Sequence, residues 1–388
     1  MKKLLIAFIA VGLLAFGFSA QAQESYVGGG FEAAGHVMAG GGWQRHNNQG
    51  VTYNVFDGDN AGYGPGVMGK YEGQAPAAST DYFGFFVDEV ELDLMKSFGE
   101  NIRLRADLDF GRVASSGLNT AAFVLEQAYA TANIPVGNGI EFLLGRFNTP
   151  IGFEAADVID NYTISKSAIS YLRPINTTGA KIYYAFNDLV DLHFYVVNSL
   201  TQDSDAKIND VPSLGLRLGF NWGDDGESTL GISPFFGPET RASNKHFTFG
   251  GDVDLNWWVT EEFALGAEAL FRRDNAFGAG VSNTEYLAGL LNLHYAFSDV
   301  WDGTLKYCFA KQFDPGNYRL AGLAANPLNA WNNLTGAEQS MHQIALAGGY
   351  AIADGAKLKL EGRFDMVKPA GAAKQYTYGL AMAFAYRF

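Results

Sequence analysis

Gln375-Tyr376-Thr377-Tyr378-Gly379-Leu380-Ala381-Met382-Ala383-Phe384-Ala385-Tyr386-Arg387-Phe388 ends the chain with a strict two-residue period. Tyr376, Tyr378, Leu380, Met382, Phe384, Tyr386 and Phe388 stand on one side, and Gln375, Thr377, Gly379, Ala381, Ala383, Ala385 and Arg387 on the other. Successive side chains of a β-strand point to opposite faces, so the segment reads as a strand with one aromatic face and one small or polar face. In a soluble sandwich the aromatic face would be core. In a membrane barrel it would face lipid and the polar face would line the interior. This strand alone fits both.

Working inward along the chain, the alternation recurs with charge on the second face. Val90, Leu92 and Leu94 alternate with Glu89, Glu91 and Asp93. Ile102, Leu104, Ala106, Leu108 and Phe110 alternate with Arg103, Arg105, Asp107 and Asp109. Leu358, Leu360, Phe364 and Met366 alternate with Lys357, Lys359, Glu361, Arg363 and Asp365. Period two predicts sixteen strands, at 28–46, 83–97, 100–113, 121–134, 138–147, 178–187, 190–199, 212–222, 228–237, 245–258, 262–273, 285–297, 302–313, 341–352, 356–367 and 375–388.

The connections sort into two kinds. Phe98-Gly99, Pro135–Gly137, Asp188-Leu189, Gly223–Glu227, Ser298–Trp301 and Ala353–Gly355 are tight turns. Between them lie 47–82, 114–120, 148–177, 200–211, 238–244, 274–284, 314–340 and 368–374, mostly longer and rich in Gly, Asn, Asp and Ala. Short turns at one end and long loops at the other are what a bacterial outer-membrane barrel shows, and a sandwich has no reason to sort its loops this way. The expected fold is therefore all-β, a transmembrane antiparallel barrel of sixteen strands with short periplasmic turns and long external loops. Trp43, Trp222, Trp257, Trp258, Tyr295, Phe297, Tyr350 and Tyr386 lie near strand ends, where aromatic girdles form.

The amino-terminal residues agree with export. Lys2 and Lys3 precede an apolar run from Leu4 to Phe18 that ends in Ala20-Gln21-Ala22, so residues 1–22 read as a cleaved signal peptide and 23–388 as one barrel domain. The 388 residues carry 27 basic and 41 acidic side chains, a net charge of −14, and this sign argues against nucleic acid as a partner. The single cysteine, Cys308, leaves no internal disulfide and no cysteine-based metal or haem motif, and no cofactor is expected. Cys308 falls on the inward face and reads as a small filler.

Leu125-Glu126-Gln127-Ala128-Tyr129, followed by Gly145-Arg146-Phe147-Asn148-Thr149-Pro150-Ile151-Gly152-Phe153-Glu154, resembles the signature of the phosphate-selective porin O/P group. Ser165-Lys166-Ser167, Gly179 and Tyr195-Val196-Val197-Asn198 follow in that group's usual order. The terminal Phe388 resembles the assembly signal of outer-membrane proteins. The resemblance implies a sixteen-stranded pore, usually trimeric, whose third external loop, here 148–177, folds inward as a constriction. Its phosphate-selective members are rich in Arg and Lys along the pore. This chain is acidic and mixes signs on nearly every predicted inner face, so the resemblance does not bring phosphate selectivity with it.

The expected activity is passive diffusion of ions and small hydrophilic solutes across the outer membrane. The expected partners are outer-membrane lipid and lipopolysaccharide, the outer-membrane assembly machinery and two further copies of the chain. Fixed charges at the narrowest point bias ions by sign. Glu154, Asp157, Asp160, Lys166 and Arg173 are the candidates on the loop, and Arg103, Arg105, Asp107, Asp109, Arg217, Lys357, Lys359 and Arg363 those on the wall. Together they suggest an acidic loop facing a basic wall. Strict alternation from Glu141 points Arg146 at lipid, which predicts that the strand ends or bulges there.

Other motifs are weaker. Asp57 and Asp59 begin like a calcium loop, but Ala61 and Met68 stand at later ligand positions. His36, His46, His193, His246, His294 and His342 show no grouping that suggests a metal or a catalytic triad. Gly28–Gly30 and Gly40–Gly42 lack the strand-turn-helix setting of a phosphate loop and suggest close packing in a first strand. Two alternatives stay open: a scaffold barrel sheathing a partner such as a multihaem cytochrome, and an outer-membrane hydrolase.

Overall fold

The computed structural model describes residues 31–46, 81–112, 121–200, 210–239, 244–275, 283–313, 338–369 and 374–388. Asp57, Asp59, Gly28–Gly30 and the segment 1–22 lie outside these residues. Sixteen antiparallel strands form one closed barrel, each hydrogen-bonded to its neighbours in sequence. They are β1 (Phe31–His46), β2 (Asp81–Phe98), β3 (Ile102–Arg112), β4 (Ala121–Ile134), β5 (Ile140–Asn148), β6 (Asn176–Ala185), β7 (Val190–Val197) and β8 (Ser213–Trp222). The second half comprises β9 (Ser228–Pro238), β10 (Phe247–Trp258), β11 (Phe263–Asp274), β12 (Thr284–Ala296), β13 (Trp301–Phe313), β14 (Gln339–Ala353), β15 (Ala356–Pro369) and β16 (Gln375–Arg387). No described helix is long and apolar enough to cross a membrane.

Closure removes the unpaired edges that lipid could not solvate. It is made by β1 and β16, with Val37 opposite Tyr386 and Trp43 opposite Leu380. Phe388 extends the seam: its N–H donates to the Gly35 carbonyl at 2.9 Å, and its own carbonyl accepts from the Gly35 N–H at 3.0 Å. A Cβ on Gly35 would stand 2.8 Å from the Phe388 ring, so the seam needs glycine there.

The apolar halves of the alternating pairs face outward, as lipid requires. Leu104, Leu144, Leu346, Leu360 and Leu380 are exposed, while Asp107, Leu143, Gln343, Lys359, Glu361 and Ala381 are buried. An aromatic belt gathers at the short-turn end. Trp301 lies 4.5 Å from Tyr350 and Tyr295 lies 5.2 Å from Phe297, centroid to centroid, with Trp257 exposed at the end of β10.

Three interruptions of the period turn extra residues inward. Pairing of β1 with β2 slips between Met38 and Ala39, so that Asp88 and Glu89 are both buried. Pairing of β3 with β4 slips between Asp107 and Leu108, leaving Glu126 as the additional residue of a bulge, buried beside an inward Gln127. At β5, Gly145 takes a φ of +141°, a conformation that favours glycine. Arg146 is thereby drawn inside, 6% exposed, where its Nε donates to the Glu126 carbonyl at 2.8 Å. The expected break in alternation is thus in mid-strand, and β5 runs on to Asn148.

Candidate functional site

The segment between β5 and β6 is laid along the inner face of the barrel, with 3-10 turns at Val158–Asp160 and Ala168–Tyr171. Val158, Ile164, Ile169 and Leu172 are fully buried against inward apolar residues of the β11–β16 wall, among them Leu270, Leu290, Cys308 and Met341. Irregular backbone at membrane depth persists only where protein supplies its hydrogen bonds. Here the wall's charged side chains supply them.

Carboxylates and an amide take the loop's N–H groups. Glu361 Oε2 accepts from Ile164 N at 2.6 Å and Ser165 N at 3.0 Å, and Gln343 Oε1 accepts from Ala168 N at 2.6 Å. Glu268 accepts from Phe153 N at 2.8 Å. Glu89 accepts from Val158 N and Ile159 N and pairs with His36 at 2.8 Å. Cations take the carbonyls. Lys359 Nζ donates to Val158, Ile159 and Asn161 oxygens at 3.3, 3.0 and 2.6 Å. Arg363 reaches Lys166 O at 2.9 Å and Asp365 at 2.8 Å, and Arg272 reaches Leu172 O at 3.1 Å.

Glu154 is the centre of this clamp. One oxygen accepts from Ser167 N at 2.9 Å and from the Ser167 and Ser170 hydroxyls at 2.5 Å, and the other receives Lys306 Nζ at 2.6 Å. Lys306 also donates to Thr163 Oγ1 and Ser165 O at 2.6 Å. Burial would raise the Glu154 carboxyl, but Lys306 and the serine donors outweigh it and hold the group down at about 2. Arg173 folds back to donate to Ile151 O at 2.6 Å and to Glu154 O. This return is possible because residue 152 is glycine: φ there is +89°, and a Cβ would lie 1.3 Å from Arg173 Nη1. Lys166 is buried and donates to Ala156 O. Tyr162 stacks on His294 at 3.8 Å.

The candidate charges therefore occupy three settings. Glu154, Lys166, Arg173, Lys359 and Arg363 sit inside the loop–wall contact. Asp160, Arg103 and Lys357 are more open: Asp160 pairs with Arg387 at 2.5 Å, Lys357 with Asp302 at 2.5 Å, and Arg103 lies 3.6 Å from Glu32. Arg105, Asp107, Asp109 and Arg217 stand on the opposite wall, which the loop does not cover. There Arg105 binds Asp107 at 2.7 Å and lies 3.4 Å from Asp93, while Arg217 makes a two-point pair with Asp254. Asp157 faces that side too, and burial followed by the charges of Glu126 and Glu89 pushes its carboxyl up to about 9. The picture of an acidic loop facing a basic wall gives way to charges of both signs interlocked with loop backbone.

A cavity of about 420 Å³ remains beside the loop, lined by 148–157, Arg173–Ile175 and Arg217. Near it an inward apolar cluster of Leu143, Phe147, Ile151, Tyr195, Val197, Leu200 and Phe235 backs the loop's root. The main residues not singled out from sequence are Lys306, Glu268, Gln343 and Arg272. Lys306 shares the inward parity of Cys308 and Thr304, so its direction was readable although its partner was not.

A closed sixteen-strand barrel with a lipid-facing apolar surface, a charged interior and, among the described residues, an inward loop defines an outer-membrane barrel of the porin class. The chain belongs to the family described as "beta-barrel porin-2, OmpL-like", whose family model matches residues 69–388. No curated protein matches the sequence. Among solved structures the chain is similar to the outer membrane channel DcaP of Acinetobacter baumannii, with a TM-score of 0.63 and 14% identity over 92% of this chain and 97% of that one. It is similar to an anion-selective porin from Comamonas acidovorans, with a TM-score of 0.57 and 12% identity over 92% and 99%. It is also similar to the trimer form of OmpT of Vibrio cholerae, with a TM-score of 0.51 and 10% identity over 92% and 99%. At these identities the likeness is one of fold. Family and fold together place the protein in the outer membrane.

Proposed function

We propose that the protein is a diffusion porin for ions and small hydrophilic solutes, whose passage runs between the loop 148–177 and the uncovered wall of β3–β9. The observation that carries this reading is the asymmetric attachment of the loop: its backbone is bonded to β11–β16 and to Glu89 of the adjoining β2, and the cavity of about 420 Å³ lies on its other side with Arg217 on the facing wall. In this reading Arg105, Asp109 and Arg217 meet the solute, with Asp107 buried as the partner of Arg105. Glu154, Lys166, Arg173, Lys359 and Arg363 set the width of the passage by holding the loop, and Asp157 lies between the two. Asp160, Arg103 and Lys357 bias ions at the short-turn mouth. The pore carries out no covalent chemistry.

The reading includes cleavage after residue 22, Phe388 as the signal for the assembly machinery, and assembly as a homotrimer, the form named for OmpT. Kinship with the phosphate-selective group rests on the 125–154 signature. Pairing of Arg217 with Asp254 and of Arg105 with Asp107 argues for weak ion preference instead of phosphate selection.

Planar-bilayer recording of the purified protein tests the proposal. Stepwise conductance is expected, and its complete absence would overturn the pore. A reversal potential near zero under a salt gradient would remove the charge filter and leave the pore intact.

A further inference from the structure

The inner surface of β2–β4 carries a concentration of carboxylates that the loop clamp does not use. Glu91 lies directly opposite Asp109, and Asp93 directly opposite Asp107, in the β2–β3 register. Like charges facing each other across a strand pair are destabilising, and these two pairs are consecutive on one face. The β4 bulge then turns Glu126 inward beside them. Oxygens of Glu91, Asp109 and Glu126 all lie within 4.8 Å of one another. Two oxygens coordinated to one calcium-sized ion, at roughly 2.4 Å each, stand at most about 4.8 Å apart, so the spacing suits a shared ion.

A second observation points to a ligand. Glu91 is 2% exposed, and its Oε2 is buried with no hydrogen-bond partner among the described residues. A buried carboxylate oxygen left unpaired is costly, the more so beside two further carboxylates. The neighbouring cation Arg105 is engaged by Asp107 and Asp93. Glu126 is held in place by amide donors, Asn148 Nδ2 at 3.0 Å and Asn176 Nδ2 at 3.3 Å on Oε1. Asp157 of the loop, whose Oδ1 is also buried without a hydrogen-bond partner, bears electrostatically on Glu91.

We propose that Glu91, Asp109 and Glu126 form a binding site for a hard divalent cation of calcium's size on the inner wall of the barrel. The donors are all oxygen, which favours calcium or a similar hard ion over zinc or copper. Because Glu126 also accepts from Asn148 and Asn176, where the loop leaves and rejoins the wall, a bound ion braces the loop's root. The site does not depend on whether the barrel conducts.

The test is calorimetric titration of the EDTA-stripped, folded full-length barrel with calcium chloride. The expected result is one saturable site per chain, weakened at least tenfold by Glu91→Gln and by Asp109→Asn and unchanged by Asp299→Asn in a distant turn. Heat-modifiable electrophoretic mobility reports folding of each variant. A thermal scan of the wild-type barrel in calcium against EDTA supplies a readout that needs no variant, with a higher midpoint expected in calcium. Absence of saturable uptake, equal affinity in Glu91→Gln, or an unchanged midpoint would overturn the site. So would a protonated-carboxyl infrared band, absent from Glu91→Gln, that persists in calcium, because protons would then be neutralising the cluster.

Discussion

The β11–β16 wall and the β3–β9 wall both present Lys, Arg, Asp and Glu to the interior, yet they use them differently. On the first, Lys359, Arg363 and Glu361 bind the backbone of the loop, and Lys306 binds its Glu154 as well. On the second, Arg217 and Arg105 pair with Asp254 and Asp107 across or along the sheet. A charge aimed at backbone is desolvated and structural, whereas one paired on an open wall keeps part of its field in the water. The difference teaches that an inward charge in a barrel is a selectivity element only where no loop covers it.

The sharpest way to break the contrast is Lys306→Met. Removing one partner of a buried pair leaves Glu154 uncompensated and costs about 3–5 kcal/mol, read from the urea unfolding midpoint. Adding Glu154→Gln is expected to recover much of the loss.

Acid should release the same clamp. The folded-state carboxyl of Glu154 is depressed from 4.5 to about 2, so its stabilisation is full above pH 4.5 and is lost as pH falls through about 2. The shift corresponds to roughly 3 kcal/mol. Stability measured between those two values should decline in the parent protein and flatten in Glu154→Gln.

On the open wall the balance should reverse. Arg217→Gln is expected to cost about 1.5–3 kcal/mol, the range of a charged hydrogen bond, while moving the reversal potential toward cation preference. A large stability loss with no change in potential would place Arg217 with the clamp residues. Tyr162→Ala removes a stacking contact of the loop and should cost about 0.5–1.5 kcal/mol, with faster protease cleavage within 153–172 as its signature. Smallest of all, Lys357→Gln at the partly open rim pair with Asp302 should change stability by less than about 1 kcal/mol.

Much of the architecture was legible along the chain. All sixteen strands occur where the alternation places them, with ends displaced by no more than three residues, as in 341–352 against Gln339–Ala353. Strand period is a local property, so Lys359, Glu361, Arg363 and Asp365 could be assigned to the inner face from their spacing. The site was legible only by half. Glu154 and Lys306 are 152 residues apart, and no spacing rule links them. The extra inward carboxylates, Asp88 and Glu126, arise from register slips that a strict period conceals. Arg146 was the visible exception, because an arginine on a lipid-facing position is too costly to stand without a break in the strand.

By itself the sequence determined the barrel, its inside and outside, and its short-turn and long-loop ends, since two-residue alternation and turn residues act over a few positions. Only the tertiary structure decided which inward charges meet water. The path of loop 148–177 across the interior is set by backbone hydrogen-bond demand and apolar packing against strands whose bonded residues lie 69 to 201 positions away. That path converts β11–β16 into a clamp and leaves β3–β9 to face the passage.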